Sequence, residues 1–108
     1  MFFVYAIRED VLQGGGIGMK CVQMVVGGKV QGVGFRLAAA EIARNLELVG
    51  FVRNEADGTV RVDAEGDPEK VEQFIQQIRK GPNNFIKVKQ VDLKYLEKQQ
   101  GFRRFEVR

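Results

Sequence analysis

Arg36 closes the run Gly27-Gly28-Lys29-Val30-Gln31-Gly32-Val33-Gly34-Phe35, which places four glycines within eight positions, Gly27 to Gly34. An apolar stretch, Val22 to Val26, comes before the run, and a helical pattern, Leu37 to Leu46, follows it. Strand, glycine-rich turn and helix start is one way a chain builds an anion cradle. Glycines let backbone N–H groups converge without Cβ clashes. A helix N-terminus adds unpaired donors and partial positive charge. Arg36 adds a fixed charge with a two-pronged donor suited to phosphate or carboxylate. The named phosphate motifs do not fit: G-K-[ST] is absent, and Leu37 stands where G-x-G-x-x-G needs its third glycine. The spacing fits a plain β–α turn with a solvated arginine equally well, and leaves both readings open.

The residue types available narrow the chemistry. The chain contains no histidine, no serine, no tryptophan and one threonine, Thr59. That removes Ser-His-Asp and Cys-His arrangements and every histidine-containing zinc site. The single cysteine, Cys21, excludes an internal disulfide and reads as a buried thiol in a strand. An enzyme built from this alphabet works with Arg, Lys, Asn, Asp, Glu, Tyr or backbone groups, with water as the nucleophile.

The 108 residues suit one domain with a modest core. Apolar content of 44%, charged content of 29% and a net charge of +3 describe an ordinary, mildly basic globular chain. Residues 1–18 differ from the rest and are read as an extension of unknown role, with the domain at 19–108. The apolar run Phe2 to Ile7 is too short for a membrane span and lacks the basic start of a secretory signal. It is expected to be an edge strand or a leader ahead of Met19.

Positioning elements follow in order. Lys20 to Val26 is expected to be a strand, and Phe35 to Leu46 a helix with Ala38, Ala39, Ile42, Ala43 and Leu46 on one side and Glu41, Arg44 and Asn45 on the other. Gly50 to Arg53 is a second strand, and Asp57-Gly58 a tight turn. Thr59 to Glu65 alternates, with Val60, Val62 and Ala64 inward and Arg61, Asp63 and Glu65 expected on a solvated face. Asp67 caps a second helix with Pro68 at its first position and Val71, Phe74, Ile75 and Ile78 on one side; Gly81-Pro82 stops it. Ile86 to Leu96 is a long strand whose apolar phase shifts between Val88 and Val91, which predicts a bulge. Phe102 to Val107 is the last strand. The order β-α-β-β-α-β defines an α+β, ferredoxin-like split βαβ sandwich: an antiparallel sheet of order 4-1-3-2 with both helices on one face.

With these elements placed, the sequence resembles the acylphosphatase family. Val26 to Arg36 is similar to its first signature, V-x-G-x-V-Q-G-V-x-[FY]-R, and Gly50 to Val60 to its second, G-[FWY]-x-x-N-x-x-x-G-x-V. The interval from Arg36 to Asn54 matches, and Gly101 to Arg108 resembles the closing strand. The resemblance spans Lys20 to Arg108. It implies hydrolysis of the carboxyl–phosphate bond of acylphosphates, with no cofactor and no metal. Arg36 and the loop Gly28, Lys29, Val30, Gln31, Gly32, Val33, Gly34 and Phe35 are then expected to bind the phosphoryl group, and Asn54 to orient the attacking water. Asn offers a donor and an acceptor without a usable pKa, so it suits that role. The implied partners are a small acylphosphate and inorganic phosphate, with no nucleic acid and no membrane, for a cytoplasmic monomer.

Four positions depart from the common pattern: Ala38 and Ala39 replace an aromatic residue and a threonine, Glu47 a glycine, and Gly27 a larger residue. Two other functions share the element order. One is a non-catalytic anion- or RNA-binding module, which would need aromatics exposed on the central strands; Val22, Met24, Val26, Val60, Val62 and Ala64 offer none. Lys87, Lys89, Lys94, Arg103 and Arg104, the basic residues such a module would use, read instead as a solvated sheet face. The other is a carbamoyl-phosphate-handling module of a larger maturation protein, against which the end at Arg108, just after the last strand, favours a free-standing enzyme.

Overall fold

A computed structural model describes residues 18–108 of the chain. The strand expected at Phe2 to Ile7 lies outside the described residues. Seven elements follow in sequence: β1 (Lys20–Lys29), α1 (Phe35–Asn45), β2 (Val49–Asn54), β3 (Val60–Gly66), α2 (Pro68–Lys80), β4 (Lys87–Leu96) and β5 (Phe105–Val107). They form one sheet of order β4-β1-β3-β2-β5. The 4-1-3-2 arrangement therefore holds, and β5 extends it by pairing parallel with β2.

The core lies between the sheet and the helices. Val22 pairs with Ala64, Met24 with Val62 and Val26 with Val60, so the central strands present one continuous buried face. α2 starts because Asp67 Oδ2 accepts from the amides of Glu69 at 3.1 Å and Lys70 at 3.3 Å, with Pro68 at its first position. It buries Val71, Phe74, Ile75 and Ile78, as its periodicity required. Phe74 meets Phe105 of β5 edge to face, with centroids 6.0 Å apart, a pairing that adds about 0.5–1.5 kcal/mol beyond area burial.

Three expectations need correction. α1 buries Phe35, Ala39, Ala40 and Ala43, while Ala38, Ile42 and Leu46 sit at the core margin. The helix is rotated toward its smallest side chains, which allow close approach to the sheet. The last strand begins at Phe105 instead of Phe102. Asp63 and Glu65 are buried, at 4% and 3% exposure, and are not on a solvated face.

The second and third corrections share a cause. β4 and β5 occupy opposite edges of the sheet, so residues 97–104 must cross its helix-free side, a span of roughly 19 Å at about 4.8 Å per strand interval. On the way the Gln100 amide donates to Glu65 Oε2 at 2.6 Å, and Phe102 packs on Phe51 with ring centroids 5.7 Å apart. Phe51 is thereby covered, under a layer that also brings the Arg108 guanidinium 4.3 Å from its ring centroid. Asp63 is satisfied beside this layer by both arms of Arg61, at 3.0 and 3.2 Å. Alternation along β3 identified the face correctly, but a returning segment of low hydrophobicity covers part of it.

The bulge expected in β4 is present. Gly27 pairs with Gln90 and Gly28 with Val88, which leaves Lys89 without a partner on β1.

Candidate active site

The glycine-rich run divides between two elements. Gly28 and Lys29 complete β1, residues 30–34 form the turn, and Phe35 and Arg36 open α1. Gly28 has φ 128°, and a Cβ there would lie 2.1 Å from the Lys87 carbonyl oxygen, so β1 and β4 touch backbone to backbone where the turn begins. Val30 and Phe35 are buried and Val33 packs against the core, which pins the turn from inside.

Gly34 is the N-cap of α1, at φ 80° in the left-handed region, and provides no side-chain cap. α1 also lacks an acidic residue in its first turn, unlike α2, which has Glu69 there and Asp67 at its N-cap. Among the described residues, no turn or cap hydrogen bond uses a backbone amide of residues 31–37 as donor; Ala38, bonded to the Gly34 carbonyl at 3.0 Å, is the first that does. Amides without a close turn or cap bond among the described residues, a positive helix end and a guanidinium therefore share one short segment. That combination concentrates positive potential where an anion can be met by several donors at once.

Arg36 is partly exposed in the first turn of α1, and its Nη1 donates to the Arg108 main-chain oxygen at 3.4 Å. Asn54 ends β2. It pairs with Val60, whose side chain is in the core, so Asn54 faces the helix side. Its Oδ1 is buried with no hydrogen-bond partner in the protein. Arg53 points to the opposite face, where its guanidinium carbon lies 5.4 Å from the Phe51 centroid.

One contact that the motifs did not reveal joins the turn to the hairpin after Asn54. Gln31 Nε2 donates to the carbonyl oxygens of Glu55 at 2.8 Å and Thr59 at 2.9 Å. The hairpin is ordered independently: Glu55 N donates to Thr59 O at 2.8 Å, and Thr59 donates to Asp57 Oδ1 from Oγ1 at 2.6 Å and from N at 3.0 Å. The Thr59 hydroxyl and amide hold the Asp57 carboxyl below the usual carboxylate range. In the sequence, Gln31 carries no side-chain signal beyond a lone amide among glycines and valines.

The departures from the signature also have physical readings. A Cβ on Gly27 would lie 3.0 Å from Gln90 Cγ, so Gln90 fills the space a larger residue would take. Glu47 has φ 60°, a conformation natural to glycine, and pairs with Lys70. Ala39 is fully buried under α1, while Ala38 is half-buried.

A split βαβ sandwich with these amides, an arginine and a buried amide oxygen presents groups of the kind a small oxyanion would meet. The acylphosphatase family model matches residues 22–107. An acylphosphatase from Oceanobacillus iheyensis is 38% identical over 90 residues, covering 83% of this chain and 99% of that one. The crystal structure of acylphosphatase from Bacillus subtilis superposes with a TM-score of 0.78 at 32% identity, covering 82% of this chain and 97% of that one. Full-length HypF in its phosphate- and nucleotide-bound form matches with a TM-score of 0.77 at 27% identity, over 83% of this chain and 12% of that one. The chain belongs to the acylphosphatase family and is an acid-anhydride hydrolase that cleaves acylphosphates.

Proposed function

We propose that Arg36 and the amides of residues 31–37 hold the phosphoryl group, and that Asn54 orients the water that attacks it. The observation that carries this is the buried, unpartnered Asn54 Oδ1. An acceptor left unpaired in a folded interior costs about 1–3 kcal/mol, so its retention points to a partner met during the reaction. In the reaction the water oxygen forms a bond to phosphorus, and the bond from phosphorus to the acyl oxygen breaks. The electron pair leaves with the carboxylate, and a water proton ends on the phosphate or in bulk solvent. A carboxylate is a good leaving group, so positioning and charge stabilisation suffice without a strong acid or base.

The substrate class is a free small-molecule acylphosphate, with inorganic phosphate as product and competitive ligand. A cytoplasmic, monomeric enzyme belongs to the same proposal; the single cysteine suits a reducing compartment, and size-exclusion chromatography tests the monomer.

Benzoyl phosphate hydrolysis by the wild type and Asn54→Ala tests the roles. The variant is expected to lose about 10²–10³ in kcat while phosphate inhibition stays within twofold, because Arg36 and the amides remain. A folded variant with near wild-type kcat removes Asn54 from the mechanism. One that no longer binds phosphate makes it a ligand residue instead.

A further inference from the structure

We infer that the Gln31 side chain is a positioning residue: it fixes the distance between the phosphate cradle and Asn54, and so sets where the attacking water stands relative to phosphorus. The inference rests on the reading of Asn54 given above.

Both Nε2 hydrogens of Gln31 are committed to one hairpin, to Glu55 O at 2.8 Å and Thr59 O at 2.9 Å, across 24 and 28 residues of sequence. Glu55 directly follows Asn54, and Thr59 directly precedes Val60, the residue paired with Asn54. The two carbonyls that Gln31 meets therefore flank the Asn54–Val60 pair on both strands.

Those carbonyls do not need Gln31. Thr59 O already accepts from Glu55 N at 2.8 Å, and Glu55 O from Gly58 N at 3.2 Å. The hairpin keeps its shape through these bonds and the Asp57–Thr59 turn, so Gln31 adds no internal order to it. Nor does the cradle need Gln31 for its own conformation, since Val30, Val33 and Phe35 anchor it to the core. What the contact adds is the relative placement of two segments that are each built independently. Reaction rate is steeply sensitive to such placement: a shift of about 1 Å can cost roughly 10²-fold.

Replacing Gln31 by Met keeps the length of the side chain and removes both donors. Gln31→Met, Asn54→Ala and the double variant are compared with the wild type for benzoyl phosphate turnover, inhibition by inorganic phosphate and thermal melting. Expected for Gln31→Met is a fall in kcat of about tenfold to a hundredfold, with phosphate inhibition within twofold and an unchanged melt. The double variant is expected to be no slower than Asn54→Ala alone, because a residue acting through Asn54 has nothing to position once Asn54 is gone. A double variant slower by the product of the two single effects overturns the inference while leaving Asn54 in its role. So does phosphate binding that weakens in parallel with kcat, which would make Gln31 a brace of the cradle. Wild-type turnover by Asn54→Ala overturns both readings together. If Gln31→Met unfolds, Gln31→Glu carries the same comparison, since it keeps the size and polarity but loses the donors when ionised.

Discussion

Arg36 Nη1 donates to the Arg108 main-chain oxygen at 3.4 Å, its one hydrogen bond among the described residues. Four of the five guanidinium N–H groups make no hydrogen bond among the described residues. Arg36→Lys keeps the charge but loses the fork that spans two phosphate oxygens, so turnover is expected to fall at least a hundredfold, with phosphate inhibition weakened. Steady-state kinetics with phosphate as competitor measure both. Full activity in the lysine variant would mean that the amides of residues 31–37 hold the anion without bidentate help.

Glu47 offers a test of backbone strain. It stands at φ 60°, where a side chain is disfavoured and glycine is not. Glu47→Gly and Glu47→Ala both lose the ion pair with Lys70, so their difference isolates the backbone. The glycine variant is expected to melt above the alanine variant by roughly 4 °C or more, the reverse of their usual order inside helices. An alanine variant that melts higher would show that the turn relaxes out of the left-handed region without cost.

Cys21 predicts a pH dependence. Burial, with the Glu65 charge nearby, pushes its thiol from 9.0 up to about 11. Below the unfolded value the thiol is neutral in both states and has no effect on stability. Between the two values the unfolded chain releases the proton and the native one retains it, so stability falls as pH rises. Urea midpoints at pH 8 to 11 are expected to decline more steeply in the wild type than in Cys21→Ala. Parallel slopes would show that other groups account for the decline.

The extension makes a fourth prediction. The family match begins at residue 22, and every described element lies from Lys20 onward. A chain beginning at Met19 is expected to fold and to hydrolyse benzoyl phosphate within twofold of the full chain. Circular dichroism and kinetics test this, and a chain that fails to fold would make residues 1–18 part of the domain.

Local signals made most of this fold legible. Asp67 and Pro68 mark the start of α2, and the β4 phase shift marks its bulge, because capping, periodicity and bulges leave their trace within a few residues. The glycine pattern and Arg36 mark the turn proposed as the anion cradle, and the interval to Asn54 is legible only through resemblance to a family signature. The burial of Asp63 and Glu65 was not legible. Glu65 is met by the Gln100 amide, some thirty positions later, from a segment whose Gln and Arg residues give no sign of packing against a sheet, while Asp63 is paired with Arg61. The Gln31 bond was hidden for a similar reason: its acceptors are main-chain carbonyls, and every residue has one.

The path of residues 97–104 from one edge of the sheet to the other also bears on the order in which the molecule assembles. β5 pairs parallel with β2 at the far end of a segment that passes over the sheet, and Arg108, whose main-chain oxygen accepts from Arg36, lies beyond that crossing. Such long-range closure comes late when loop entropy must be overcome before contacts reward it. A refolding chain is therefore expected to recover its helical circular dichroism before its turnover, with the final gain in activity set by the closing of this last connection.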